Sequence, residues 1–206
     1  MLADAFGTTE TTPATAHAIV AGMRERYAAA AAEVGALHDH EDAVSAIFDA
    51  AEQVSWPALQ RIHGDYHLGQ VLHTPDGGWI LLDFEGEPLR PLAERSQPDQ
   101  RIRDIAGMLR SFDYAGGAVE HSSTTSARGW VSTAQQAFLD GYAATSGEDP
   151  RDRTALLAAF ELDKAMYEVV YEVRNRPSWV DIPLAAIERL ASEFPTSTPT
   201  PQEDTP

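Results

Sequence analysis

Arg61-Ile62-His63-Gly64-Asp65-Tyr66-His67-Leu68-Gly69-Gln70, with Leu82-Asp83-Phe84-Glu85-Gly86-Glu87-Pro88 downstream, is the stretch from which the rest of this 206-residue chain can be read. Between the two halves, the apolar runs 70–74 and 79–83 flank Thr74-Pro75-Asp76-Gly77-Gly78, a strong turn signal, so the segment spells a β hairpin. The returning run, Trp79-Ile80-Leu81-Leu82, is apolar without alternation, which predicts a strand covered on both faces. Pairing puts Asp65 just before the outgoing strand and Asp83 at the end of the returning one. Two carboxylates 18 positions apart in sequence thus meet at one end of the hairpin.

Phosphoryl transfer requires such an arrangement. One carboxylate accepts the proton of the attacking hydroxyl, and another holds the Mg²⁺ that neutralises phosphate oxygens. The amide of Gln70 supplies a second hard oxygen donor of the kind magnesium prefers.

Outward from this segment the pattern is helical. Residues 15–37 are alanine-rich, with Ile19, Met23, Tyr27 and Val34 near helical spacing and Thr12-Pro13 as a start signal. A second helix is predicted over 41–54, ended by Trp56-Pro57. After a polar loop at 85–100, helices are predicted over 101–114 (ended by Gly116-Gly117), 127–145 (ended by Gly147), 149–174 and 183–192. The fold class expected is mainly α with a small β hairpin, spanning 1–194. The proline- and threonine-rich tail 195–206 reads as disordered.

Composition narrows the function classes. The chain carries 15 basic against 32 acidic residues, a net charge of −17, which repels phosphate backbones and anionic lipid. Nucleic-acid and membrane partners are therefore not expected. There are no cysteines, excluding disulfides and thiolate metal sites. No apolar run approaches the roughly 18–20 residues that span a bilayer, and the N-terminus lacks the pattern of a secretory signal, so a cytoplasmic location is expected. Lys164 is the only lysine; the other basic residues are arginine.

The segment 63–70, His-Gly-Asp-Tyr-His-Leu-Gly-Gln, resembles the catalytic loop of the aminoglycoside-phosphotransferase-like kinases, and Asp83-Phe84-Glu85 resembles their counterpart of the protein-kinase D-F-G segment. The wider spelling is closer still to maltokinases, with related glucosamine kinases sharing much of it. The likeness extends through Arg103-Asp104-Ile105-Ala106-Gly107-Met108-Leu109-Arg110 and 171–179, Tyr-Glu-Val-Arg-Asn-Arg-Pro-Ser-Trp. The resemblance implies ATP- and Mg²⁺-dependent phosphorylation of a sugar, maltose to maltose 1-phosphate first and glucosamine or another small acceptor second. It implies Asp65 as catalytic base, with His63 bracing its loop. Asp83 becomes the principal Mg²⁺ ligand, with Gln70 and Glu85 beside it. Gln70 replaces the asparagine usual in the broader superfamily, and Glu85 the glycine of D-F-G. Asp104 resembles the helix-start aspartate that hydrogen-bonds the catalytic-loop backbone.

Tyr167, Tyr171 and Asn175 recur at i, i+4 and i+8 on one helical face. Aromatic rings can face sugar C–H surfaces, while Glu168, Glu172, Arg174 and Arg176 can grip hydroxyls. The resemblance implies that this region, with Trp179, is the sugar site, and His67 is a further candidate contact. The plainer reading makes the tyrosines core residues and the glutamates a solvated face.

Two other readings remain open. His63, Asp65 and His67 form H-x-D-x-H, whose alternate residues share one face of an extended segment and could bind the zinc of a hydrolase. The second concerns completeness. A kinase of this fold cradles ATP under a small sheet-rich lobe carrying a glycine-rich cover and a lysine. No glycine-rich strand-turn-strand precedes Asp65, and Lys164 falls about 100 residues after it. Leu2-Ala3-Asp4-Ala5-Phe6-Gly7 resembles the end of a helix that lies inside maltokinase chains. The expectation is the C-terminal helical lobe of a protein-kinase-like fold, its N-terminal ATP-binding lobe absent or carried by a separate polypeptide. Alone, such a chain would have negligible kinase activity, or serve as a binding subunit.

Overall fold

A computed structural model describes residues 2–84, 86, 95 and 97–194. The predicted tail at 195–206, Glu85 and most of the predicted loop at 85–100 lie outside these residues.

The helical elements follow their start and stop chemistry. A short helix, α1 (Leu2–Phe6), ends at Gly7, whose φ of 77° and N–H bond to the Ala3 carbonyl close it. Helix α2 (Pro13–Glu33) starts at Pro13, with Thr12 as N-cap accepting the N–H of Thr15. It stops short of the predicted end because Val34 turns extended, and Gly35–His40 continues as a 3₁₀ turn. Leu37 of that turn is fully buried, and its carbonyl accepts the Tyr27 hydroxyl. Helix α3 spans Glu41–Gln53.

Two small antiparallel sheets follow. One pairs β1 (Thr8–Thr9) with β2 (Leu59–Gln60), which the sequence pattern did not announce. The other is the expected hairpin, β3 (Val71–His73) with β4 (Trp79–Leu81), in the register Val71↔Leu81, Leu72↔Ile80 and His73↔Trp79. The apolar return strand is not covered on both faces. Trp79 is 68% exposed, and Leu72, Ile80, Leu81 and Leu82 are exposed with it. The absence of alternation signalled apolar surface, and no described element packs over it.

Helix α4 (Ile102–Ser122) runs straight through Gly116-Gly117, which were expected to end it. A side chain at Gly116 would collide with Val131, and one at Gly117 with Ile182. The glycine pair is therefore a contact surface for neighbouring helices. Helix α5 (Arg128–Ser146) ends at left-handed Gly147 as predicted. Asp149 caps a 3₁₀ turn, Pro150–Arg153, that leads into α6 (Thr154–Asn175), and α7 (Asp181–Glu193) is the last helix described.

Helix α6 is the axis of the molecule, packed against α2, α3, α4 and α7. Its Leu156, Phe160, Leu162, Met166 and Val169 join Val20 and Met23 of α2, Ile47 and Phe48 of α3, Ile105 and Leu109 of α4, and Ile187 of α7 in one core. No described helix is long and apolar enough to cross a membrane.

Candidate active site

One face of α4 builds the loop that carries Asp65. Asp104, Gly107 and Ser111 stand at i, i+3 and i+7, so all three point the same way. The two carboxylate oxygens of Asp104 accept the backbone N–H groups of His63 and Gly64, each at 2.8 Å. Burial pushes the Asp104 carboxyl above its usual value, and those two backbone bonds only partly oppose the shift. Gly107 lets the helix approach the loop, since a Cβ there would sit 2.7 Å from the Tyr66 carbonyl oxygen. Ser111 Oγ accepts the N–H of Leu68 at 3.1 Å.

His63 ties this loop to the hairpin. Its Nδ1 accepts the N–H of Asp65 at 3.3 Å, which leaves Nε2 protonated to donate to the Leu82 carbonyl at 2.6 Å. The ring is buried and lies 4.6 Å from the Phe84 ring. Across the hairpin, the N–H of Leu82 donates to the Gln70 carbonyl, so Gln70 and Asp83 share one end of it. Asp83 has φ of 54°, the only positive φ outside glycine among the described residues. Its neighbours hold it there: Leu82 is bonded on both sides, and the Phe84 carbonyl accepts Nη2 of Arg61 at 2.7 Å. Strained backbone of this kind persists only where the surroundings over-determine it, and it concentrates at functional sites.

Gln70 and Asp83 offer the hard oxygen donors that suit Mg²⁺, which takes one or two carboxylates and completes its shell with water and phosphate oxygens. Among the described residues no group of three or more His, Cys, Asp or Glu side chains converges as a metal site. The zinc reading of His63, Asp65 and His67 finds no support in this geometry. Both ring nitrogens of His63 are engaged by backbone, and Nδ1 of His67 accepts the N–H of Gly69 at 3.0 Å.

Asp65 lies at the mouth of a cleft of about 260 Å³ between α4 and α6, which is also lined by His67, Ser111, Tyr114, Tyr167 and Glu168. Its carboxylate, 16% exposed, has Lys164 Nζ 3.6 Å from Oδ1 and His67 Nε2 3.7 Å from Oδ2. Burial would raise its pKa, but His67 and Lys164 more than offset that and hold it below the usual carboxylate value. Further along the wall the rings of Tyr167 and Tyr171 stack at 6.5 Å.

Two ion pairs stiffen this wall. Arg110, fully buried, donates Nε and Nη2 to Oε2 of Glu168 and Nη1 to Asp113 at 2.5 Å. Burial raises the Glu168 pKa, and Arg110 opposes it. Glu172 is gripped by Arg176 through Nε and Nη2 and accepts the Tyr114 hydroxyl at 3.1 Å. The Arg176 guanidinium also lies over Tyr171 and, at 4.8 Å, over Trp179.

Of the expected sugar residues, His67, Tyr167, Glu168, Tyr171, Glu172 and Arg176 line the cleft. Three do not. Arg174 turns away to pair with Glu33 of α2, and Asn175 bonds back to the Tyr171 carbonyl. Trp179 stands behind Arg176, with His121 at 5.4 Å.

Residues 5–157 match the family model described as the phosphotransferase enzyme family, APH. The chain belongs to that family. It is 30% identical over 197 residues to the glucosamine kinase of Streptacidiphilus jiangxiensis, covering 88% of this chain and 45% of that protein. It is 31% identical over 138 residues to the glucosamine kinase of Mycolicibacterium smegmatis, covering 64% and 34%. The chain thus spans less than half the length of these relatives. Among solved structures, a glucosamine kinase superposes with a TM-score of 0.83 at 29% identity, over 94% of this chain and 50% of that one. A glucosamine kinase in complex with glucosamine, ADP and inorganic phosphate gives 0.81 at 29% identity, over 92% and 47%.

The cleft residue that sequence reading passed over is Lys164. The signal was helical spacing: Lys164, Tyr167, Glu168, Tyr171 and Glu172 fall at i, i+3, i+4, i+7 and i+8, one face of α6. Ser111 and Tyr114 were missed in the same way, although α4 was recognised as a landmark.

Proposed function

We propose that this chain forms the acceptor-binding and catalytic-base part of an ATP-dependent sugar kinase. The observation that carries the reading is Asp65, ionised and braced at the mouth of a small cleft whose wall combines stacked tyrosines with fixed charges. In this reading a sugar hydroxyl lies against Asp65, which takes its proton as the oxygen attacks the γ-phosphorus of ATP. Gln70 and Asp83, with Glu85 from outside the described residues, would hold Mg²⁺. That ion, when bound, neutralises phosphate charge.

Glucosamine is the first acceptor to test. The named relatives are glucosamine kinases, and Asp65, Glu168 and Glu172 line the cleft with oxygens that can accept from the hydroxyl and ammonium groups of such a sugar. The volume sits below the ~300–1,000 Å³ typical of larger ligands, which favours one sugar ring. Maltose, the first expectation from sequence, becomes the second acceptor. A nucleotide-positioning lobe, in the same or another polypeptide, remains part of the proposal.

The test is Asp65→Asn in a form that turns over. Phosphoryl transfer should fall ~10²–10⁴-fold while glucosamine affinity stays nearly unchanged. Undiminished turnover would remove Asp65 from the base role.

A further inference from the structure

Lys164 and Arg176 line the cleft, and Arg110 is buried behind its wall. Arg110 and Arg176 are locked to Glu168 and Glu172 by paired hydrogen bonds of 2.5–2.9 Å. Lys164 stands 3.6 Å from Asp65, within ion-pair range, and 5.0 Å from the Tyr167 ring centroid. Its side chain is 21% exposed and lines the cleft. Among the described residues, the charged groups facing it include Asp65 from the catalytic loop and Glu168 one turn along α6, with His67 on the far oxygen of Asp65.

A chain of net charge −17 repels an incoming phosphoryl group, and Asp65 adds a carboxylate at the point where the proton is taken. A cation within reach of the hydroxyl held by Asp65 counters that repulsion where charge develops. The charge changes of the reaction favour Lys164 for this task. As the acceptor oxygen bonds to phosphorus, its proton passes to Asp65, and the bridging O–P bond to ADP breaks with its electron pair leaving on ADP. Asp65 becomes neutral in that step while Lys164 keeps its proton. The ammonium thus loses the carboxylate counter-charge of Asp65, 3.6 Å away, as the phosphoryl group moves beside it. The interaction strengthens from ground state to transition state, the condition for acceleration.

We propose that Lys164 is the cation that meets the transferred phosphoryl group, supplied from the acceptor side of the cleft by α6. This rests on the kinase reading above. It goes beyond that reading by assigning a phosphate-contacting residue outside any nucleotide-binding lobe.

The single lysine makes the test direct. Lysine labelled with carbon-13 at the ε position gives this chain one side-chain resonance, followed by NMR while inorganic phosphate is added with and without glucosamine. The resonance should move saturably with phosphate. Lys164→Met should abolish the accompanying phosphate-dependent shift of the His67 ring. Asp65→Asn, which removes the competing carboxylate, should tighten phosphate about fivefold, the factor set by a partly exposed ion pair. A lysine resonance indifferent to phosphate overturns the proposal, as does an unchanged His67 response in Lys164→Met. A wild-type chain that binds phosphate at Lys164 but no sugar keeps the anion contact and sinks the kinase reading instead. Should Lys164→Met fail to fold, the wild-type and Asp65→Asn titrations still decide.

Discussion

Asp65 and Asp83 stand at the same end of the hairpin, yet their surroundings differ. Asp65 sits on a loop fastened by three residues of α4, with Lys164 and His67 beside its carboxylate and a formed cleft in front. Asp83 is exposed, on strained backbone at the end of a strand whose apolar side chains face solvent. On the proposed reading, Asp65 belongs to the acceptor side, whose cleft lies within the described residues. Asp83 belongs to the proposed metal and nucleotide side, and among the described residues it stands next to exposed apolar surface. The boundary between the two proposed sides runs between these two aspartates.

The strongest way to break this comparison is to attack the wall of the acceptor side. Arg110→Met removes the hydrogen-bonded cation from buried Glu168 and partly buried Asp113 and should cost about 3–5 kcal/mol of stability in urea unfolding. A loss below about 1 kcal/mol would mean that the wall is not held by this pair.

Next comes the loop itself. Asp104→Ala leaves the N–H groups of His63 and Gly64 without their acceptor, and each such group costs about 1–3 kcal/mol. Amide exchange at these two positions should accelerate far more than at the core of α6.

Proton titration sharpens the contrast within the acceptor side. Carboxyl NMR should find Asp65 titrating below its ordinary value and Asp104 above it. The stability contributed by Asp65 is present above about pH 4 and is lost as pH falls through its lowered native value. For Asp104 the sign reverses: its contribution is present at low pH and is lost as pH rises through its raised native value. Replacing Lys164 by Met should move Asp65 upward and leave Asp104 in place.

The smallest effect belongs to the side of Asp83. Trp79→Ser should change stability by no more than ~0.5 kcal/mol, since the ring is largely in solvent. Self-association, measured by analytical ultracentrifugation, should decrease. A large loss of stability would show that the hairpin is covered after all.

What could be read from the sequence follows the same boundary. The hairpin and its turn were legible because turn chemistry acts over short distances, and the Asp104 brace was legible through the resemblance of its helix start. Gly116-Gly117 misled, because a glycine pair reads as a stop from local entropy alone, whereas here it admits Val131 and Ile182 from other helices. Burial of the return strand was overstated because a pattern reports what a strand can bury, not whether a partner is present. The approach of Lys164 to Asp65 was missed because it depends on how α6 docks against the loop that carries Asp65, about 100 residues away in the chain. Arg174 and Arg176 look alike in sequence, yet only helix orientation sends one to Glu33 and the other to the cleft.

The most direct measurement is calorimetric titration of the chain with glucosamine, maltose and Mg·ATP, each separately. The account predicts saturable binding of glucosamine, weaker binding of maltose, and little binding of Mg·ATP. Tight Mg·ATP binding with no sugar binding would contradict it, because the proposed acceptor side of the site would then be the wrong one.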